Sequence, residues 1–128
     1  MTAYIGEGNM ITTPWDLANF MRWLFRGEAG IVPVYVNNYM MDCRPEGEVG
    51  GKGYGLGVES LPNIGYGHGG DGMGTTVKVF HDPDKDFTIV LLINAWNYRD
   101  GIEIGSYMAE QQLEVFNLLY VIKEAVYK

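Results

Sequence analysis

The hydrophobic residues of this chain recur with helical spacing near both ends and with alternating spacing in between. Near the amino end the apolar residues lie three or four positions apart: Leu17, Phe20, Met21, Leu24 and Phe25. This spacing predicts an amphipathic helix. Thr13, Pro14 and Asp16 are typical of a helix start, and Gly27 is typical of the residue that ends one.

Further along the chain the pattern changes to short extended segments. An apolar stretch at 34–41 predicts a two-turn helix entered through Pro33, and the polar, glycine-rich residues 43–52 predict an exposed loop. Alternating or β-branched segments then predict strands at 54–58, 66–69, 75–81 and 87–94. Residues 61–65 and 82–85 have the composition of turns.

The strands predict an antiparallel meander in which strand 87–94, apolar on both faces, is central. A last apolar stripe predicts a helix of about twenty residues ending near Lys128; its members are Tyr107, Leu113, Phe116, Leu119, Tyr120 and Ile122. The expected fold class is therefore α+β, with an antiparallel sheet of about three strands flanked by an N-terminal helix and a long C-terminal helix.

Composition and charge narrow the classes of function. The 128 residues, 47% hydrophobic and 20% charged, fit one globular domain spanning 1–128. The formal net charge of -7 opposes binding to nucleic acid or to anionic lipid. The apolar run 89–93 is too short to span a membrane. Cys43 is the only cysteine, so the chain can form neither an internal disulfide nor a cysteine metal cluster.

Glycine is the one unusual feature of the composition. The chain has 18 glycines, concentrated between Gly47 and Gly74. Because glycine permits tight turns and close approach of the backbone, this region predicts a groove lined by main chain.

Two formal motif matches in the chain do not carry function. Residues 67–72 fit the glycine pattern of a dinucleotide site, but a strand follows them where that site needs a helix. Asp82, Asp84 and Asp86 alternate as in a calcium loop, but Phe87 stands where that loop needs glycine. Two histidines, His68 and His81, are too few to indicate a metal centre. We therefore expect no metal and no cofactor.

Four segments taken in order resemble another class of protein. They are Gly-Asn-Met-Ile-Thr-Thr-Pro-Trp-Asp-Leu-Ala-Asn-Phe-Met at 8–21, Tyr-Gly-Leu-Gly-Val at 54–58, Gly-His-Gly-Gly-Asp-Gly-Met-Gly at 67–74 and Asp-Pro-Asp-Lys-Asp at 82–86. Together they are similar to the carboxy-terminal part of the serine β-lactamase-like hydrolases, which include class C β-lactamases, penicillin-binding proteins, esterases and D-aminopeptidases. The resemblance implies a partial β-lactamase-like fold.

The resemblance also implies a ligand site. His68, Gly69 and Gly70 fall on the third motif of the family, on the strand that edges its catalytic cleft. A small acyl or peptide-like ligand would lie along this strand, the amide of Asp71 would donate to the developing oxyanion, and His68 would bind the carboxylate side of the ligand. The plainer interpretation is a glycine-rich hairpin with a surface histidine.

The nucleophile of the family has no match in this chain. Its Ser-x-x-Lys motif is absent, because Ser60 is followed three residues later by Asn63 and Ser106 by Ala109. Thr75 and Lys78 have the right interval, but a strand would point them to opposite faces. Tyr35-Val36-Asn37 has the residue types of the second motif of the family, Tyr-x-Asn or Tyr-x-Ser. It follows the first predicted helix, however, whereas the family motif precedes it.

Three hypotheses remain open. The chain is expected to be a carboxy-terminal segment whose nucleophile-bearing N-terminal half is absent, so that it has no catalytic residues and is inactive alone. The alternatives are a free-standing binding module and an enzyme that pairs His68 with Asp71 or Glu59 as general acid and base.

Self-association is a further expectation. A homodimer would form through the edge of the strand predicted from Phe87 to Asn94, or through the C-terminal helix. In the competing solution the segment from Met1 to Thr12 folds back, and Ala3-Tyr4-Ile5 forms a substitute strand.

Overall fold

The computed structural model describes residues 8, 10–45, 53–72, 75–94 and 104–127, with backbone alone at 44–45, 71–72 and 104–113. The helices are α1 (Pro14–Phe25), α2 (Pro33–Tyr35) with a π-helical turn (Val36–Met40), and α3 (Ile104–Val126). The strands are β1 (Arg44–Pro45), β2 (Gly53–Tyr54), β3 (Glu59–Leu61), β4 (Gly65–Gly72), β5 (Thr75–Asp82) and β6 (Phe87–Ile93). The α+β class is confirmed.

The sheet has more strands than the sequence predicted. Six strands in the described residues form one antiparallel sheet in the order of the chain, where about three were expected. The additional strands are short, with two or three residues each in β1, β2 and β3. Such short strands leave little alternation in the sequence, so the pattern missed β1 and β3 and merged β2 into the single strand predicted over 54–58.

The start of α1 has the predicted capping chemistry. The Thr13 hydroxyl accepts a hydrogen bond from the Asp16 backbone N–H at 3.1 Å and donates one to the Asp16 carboxylate at 2.7 Å. Gly27 follows the helix with a φ of 72°, the left-handed conformation that glycine adopts without strain. The predicted bounds of this helix are confirmed.

The second predicted helix is present in a different conformation. Pro33 opens a three-residue α-helix, and the chain then widens into a π-helical turn in which the Met41 N–H donates to the Val36 carbonyl at 2.9 Å. Val36 is fully buried. The apolar spacing located this element but could not distinguish α from π geometry.

The prediction of one strand over 54–58 is wrong. The chain turns between β2 and β3, with the Gly55 N–H donating to the Val58 carbonyl at 2.7 Å and Gly57 at a φ of 71°. The glycines at alternate positions imitate a strand pattern but allow a turn. The predicted loop 43–52 begins with strand β1, and its residues 46–52 lie outside the described residues.

Both predicted hairpin turns are confirmed. Asn63 has a φ of 61° between β3 and β4, and the Ile64 N–H donates to the Leu61 carbonyl at 3.1 Å. Between β5 and β6 the Asp82 carboxylate accepts hydrogen bonds from the backbone N–H groups of Asp84 and Lys85. An aspartate that bonds the backbone two residues on is a standard turn device.

The sheet separates two hydrophobic cores. On one face α1 packs over a core made of Met21, Leu24, Phe25, Val36, Val58 and Val79. On the other face α3 covers a core made of Leu61, Ile64, Phe80, Ile89 and Leu119. We call these the α1 face and the α3 face. No helix in the described residues is both long and apolar enough to cross a membrane.

The position of β6 corrects a further expectation. Within the described residues β6 lies at the edge of the sheet, not in its centre. Ile89 nevertheless packs against Leu119 of α3, and Val90 packs on the α1 core. A strand covered on both faces is apolar throughout, so its sequence resembles that of a central strand.

The carboxyl half of α3 is tied to the sheet by a buried ion pair. The Lys123 ammonium lies 2.6 Å from the Asp82 carboxylate and donates to the Ile64 carbonyl at 3.1 Å, and both charged side chains are almost entirely buried. Burial raises the pKa of Asp82, but the hydrogen bond and charge of Lys123 outweigh it and lower that pKa below its usual value. The predicted stripe positions Tyr107 and Leu113 lie outside the described side chains.

The second histidine is a buried structural residue. His81 is 1% exposed, stacks on the Phe25 ring with centroids 5.5 Å apart, and shares a 2.8 Å hydrogen bond between its Nδ1 and the Thr88 hydroxyl. Burial lowers its pKa, although the nearby carboxylates of Asp86 and Asp82 act against that shift. Its burial between α1 and the sheet therefore disfavours the charged form of the ring.

Candidate functional site

Strand β4 carries the predicted His-Gly-Gly segment. His68 lies opposite Val79 of β5, Gly69 opposite Lys78, and Gly70 opposite Val77. Because Val79 packs against α1 and side chains alternate along a strand, His68 and Gly70 belong to the α1 face and Gly69 to the α3 face. His68 is exposed.

Within the described residues, one edge of β4 has no strand partner beyond its first three residues. Strand β3 pairs with β4 only from Leu61 opposite Gly65 to Glu59 opposite Gly67. From His68 to Gly72, β5 is the only strand paired with β4 in the described part of the chain. This segment therefore has main-chain donors and acceptors available on its β3 side.

The His68 ring is held by two hydrogen bonds. Its Nε2 lies 2.8 Å from the Tyr54 hydroxyl, and its Nδ1 bonds the Gly69 carbonyl oxygen. The Tyr54 and His68 rings also meet edge to face, with centroids 5.7 Å apart. Tyr54 is 49% exposed, so the pair lies at the surface of the protein.

Tyr54 was not among the residues that the sequence singled out. It belongs to the Tyr-Gly-Leu-Gly-Val segment that carried part of the family resemblance, but the incorrect single strand over 54–58 hid its position. The pairing of Tyr54 with Glu59 and of Glu59 with Gly67 brings it beside the start of the His-Gly-Gly segment. Only the register of three strands could have predicted this contact.

Three glycines of β4 differ in the space that a side chain would have at each position. A Cβ on Gly67 would overlap the Val79 carbonyl oxygen, so this position is fixed by the backbone of β5. A Cβ on Gly69 would overlap the Lys78 ammonium group. A Cβ on Gly70 would have no described atom within 4 Å, so the α1 face of this residue is open.

The packing of Lys78 explains why residue 69 is a glycine, without reference to a ligand. Its side chain is 4% exposed, lies across Gly69, and places its ammonium 5.7 Å from the centre of the Phe116 ring of α3. The family resemblance attributes the small size of Gly69 to substrate access. The structure explains it by the packing of Lys78 on the α3 face, and of Gly67, Gly69 and Gly70 it is Gly70 that has no described atom near an added Cβ.

The remaining candidates are distributed over the sheet. The Asp71 backbone lies on β4 opposite Thr76, and its side chain is outside the described part. Glu59 makes no described hydrogen bond to His68, whose ring partners are Tyr54 and Gly69. The described residues therefore show no hydrogen bond for the acid–base pair that the third hypothesis placed between His68 and Glu59.

The positions considered for a nucleophile differ in their surroundings. Ser60 is half-buried on β3 opposite Tyr66, and the Ser106 side chain is outside the described residues. Thr75 and Lys78 lie three residues apart on β5, which confirms that their side chains point to opposite faces. The Tyr35-Val36-Asn37 segment lies in the second helix, with Val36 in the core.

Comparison with known proteins gives the family. The family model described as Beta-lactamase matches residues 1–113. The chain therefore belongs to the serine β-lactamase-like hydrolase family, as its sequence segments indicated. No curated protein and no solved structure matched the chain.

Proposed function

We propose that this chain supplies the third-motif strand of a serine β-lactamase-like hydrolase site and that these 128 residues do not hydrolyse a substrate alone. The unpaired β3-side edge of β4 beyond Gly67 carries this proposal. A ligand with an acyl or peptide-like group can hydrogen-bond to such an edge as an additional strand would.

The backbone direction of β4 favours Asp71 as the oxyanion donor. The His68 ring bonds the Gly69 carbonyl, so that carbonyl is not directed wholly at β5. Main-chain groups two residues apart point to the same side of a strand. The Asp71 N–H would then face the ligand from the same edge, and an N–H there would stabilise a developing oxyanion.

Gly70 supplies the space for the ligand. Its open α1 face adjoins the exposed His68 ring, so a bound acyl group would contact both residues. Gly69 contributes its main chain only. The substrate-binding set is thus His68, Gly69, Gly70 and Asp71, with Tyr54 as the partner of His68.

The absence of a Ser-x-x-Lys sequence supports inactivity of these residues by themselves. Neither Ser60 nor Ser106 has a lysine one helical turn away to accept its proton. Oxyanion binding without nucleophile and base accelerates reactions by only about 10³-fold in well-studied triads. Mass spectrometry after incubation with benzylpenicillin or a fluorophosphonate should show no covalent adduct, and a stoichiometric adduct on either serine would contradict the proposal.

Ligand binding can be tested by amide NMR. Titration of the ¹⁵N-labelled chain with benzylpenicillin should shift the amide signals of 67–71 more than those of β6. Gly70→Val should abolish these shifts, because a branched side chain would fill the open α1 face. Thr76→Val is the matched control, since Thr76 lies on the neighbouring strand and the opposite face. Shifts that are absent from β4, or that persist in Gly70→Val, would refute the site.

Within the described residues β6 lies at the edge of the sheet, and this supports the alternative of an oligomeric binding module. Strand β6 contains no proline and no charge that would discourage pairing with another chain. A homodimer would join two such edges, or two α3 helices, on which Leu118 is exposed. Leu92 of β6 and Leu118 are 42% and 44% exposed, which makes them a matched pair.

Light scattering coupled to size exclusion tests the dimer at micromolar concentration. Leu92→Lys should dissociate a dimer formed through β6, whereas Leu118→Lys should dissociate one formed through α3. A wild-type mass of 14.3 kDa would rule out the dimer.

A further inference from the structure

The hydrogen bonds around His68 define which of its nitrogens carries the proton. The Gly69 carbonyl oxygen can only accept, so the Nδ1 that bonds it must be protonated. A neutral imidazole has one N–H, which leaves Nε2 as an acceptor. At 2.8 Å from Nε2, the Tyr54 hydroxyl is then the donor.

We propose that Tyr54 is a positioning residue that fixes His68 in the Nδ1–H tautomer and in one ring orientation. In water a neutral histidine side chain favours the other tautomer, with the proton on Nε2. A hydroxyl that donates to Nε2 stabilises the Nδ1–H form, because Nε2 must then keep its lone pair. The edge-to-face contact of the two rings limits rotation of the imidazole.

Tyr54 can act in this way because its own backbone is anchored. Directly after it, Gly55 packs so closely on the Met40 carbonyl that a Cβ would overlap that oxygen. The Leu56 N–H donates to the Tyr39 carbonyl at 3.0 Å. The π-helical turn Val36–Met40 therefore holds the segment that follows Tyr54, and this connects the second helix to His68.

The tautomer determines what the pair offers to a ligand. While His68 is neutral, its only N–H is bonded to Gly69 and its Nε2 is occupied by Tyr54. Among the described residues the Tyr54 oxygen has no other partner, so the pair presents a lone pair that can accept a ligand hydroxyl or amide N–H. This differs from the expectation drawn from the resemblance, in which His68 binds a ligand carboxylate. This consequence rests on the proposed function, whereas the tautomer itself does not.

The test is long-range ¹H–¹⁵N NMR of the histidine rings in the full chain. Spectra are recorded at about pH 8.5, because the two ring nitrogens of a neutral imidazole report its tautomer. The chain has two histidines, so the signals that are present in the wild-type spectrum and absent from that of His68→Gln belong to His68. In the wild type we expect Nδ1 in the protonated range and Nε2 in the unprotonated range.

Tyr54→Phe should move the Nε2 signal towards the protonated range. Tyr39→Phe is the matched control and should leave the pattern of the wild type, because the Tyr39 ring stacks on Tyr35 and not on His68. Wild-type spectra with the proton on Nε2 would overturn the proposal. So would a Tyr54→Phe variant that keeps the native amide spectrum and the wild-type ring pattern.

The wild-type measurement remains decisive if Tyr54→Phe does not fold. No ligand is present in this experiment. A failure of benzylpenicillin to bind would therefore count against the proposed function and leave the tautomer result unaffected.

Discussion

Glycine-to-alanine substitutions at two positions of β4 should have opposite effects on stability. At Gly67 a Cβ would overlap the Val79 carbonyl oxygen and the Phe80 Cα, both of them backbone atoms of β5. Strand β5 lies between β4 and β6, and Phe80 is 1% exposed, so neither strand can move aside cheaply. At Gly70 a Cβ would meet no described atom within 4 Å.

The size of each effect follows from these surroundings. Overpacking of a core costs about 1–3 kcal/mol, and occasionally more when backbone must shift. We expect Gly67→Ala to cost about 3 kcal/mol of unfolding free energy. Gly70→Ala should instead gain about 0.4–1 kcal/mol, since alanine restricts the unfolded chain and Gly70 does not have a left-handed φ.

Urea denaturation followed by circular dichroism measures the difference. With a urea m-value of about 1–3 kcal/mol/M for a small protein, the two midpoints should differ by roughly 1–4 M. The identical chemical change at both positions makes each variant the control for the other. Equal losses of stability, or an unchanged midpoint in Gly67→Ala, would refute the assignment of Gly67 to packing and of Gly70 to open space.

Two further predictions concern buried polar groups. Lys123→Met should cost about 3 kcal/mol by urea denaturation, because it leaves the buried Asp82 carboxylate without its partner, and adding Asp82→Asn should recover part of that loss; a double variant as unstable as the sum of the single variants would contradict the pairing. Burial lowers the pKa of His81, so as the pH falls the unfolded chain binds a proton on this residue before the folded chain does. The contribution of His81 to the free energy of unfolding should therefore be fully present above about pH 6.5 and should decrease as the pH falls below that value. Thermal melting between about pH 5 and 7 should show this slope in the wild type and in His68→Gln but not in His81→Gln, and a slope that survives in His81→Gln would assign it elsewhere.

The sequence predicted best the elements whose signals are local. The start of α1 depends on Thr13, Pro14 and Asp16, which lie within four residues of one another, and the turn after β5 depends on the Asp82 side chain. These interactions are formed by the chain with itself over one turn. Their presence in the sequence is almost sufficient for the structure.

The failures came where distant residues decide the outcome. The position of β6 at the edge of the described sheet depends on which strands pair. Its apolar sequence results from burial under helices on its two faces and does not indicate its place in the strand order. The role of Gly69 depends on Lys78 across the strand pair, and the contact of Tyr54 with His68 depends on the register of β2, β3 and β4. No window of the sequence contains both partners of these contacts.

The resemblance gave the candidate site only as a segment, and ligand binding there stays a prediction. The resemblance placed His68 and Gly70 on a strand, and both belong to β4 on its α1 face. It gave no information on the hydrogen bonds of His68. Those bonds require the orientation of a tyrosine ring, which composition and spacing do not encode.

The order of the strands has a consequence for how this protein folds. Every strand pair in the described sheet joins neighbours in the sequence, from β1 with β2 to β5 with β6. Proteins whose contacts are local fold faster than those that must close long loops first. The sheet can therefore grow one hairpin at a time, in the order in which a ribosome releases the chain. The Lys123 ion pair with Asp82, 41 residues away, can form only after α3 has been made, so docking of α3 comes after synthesis of all six described strands.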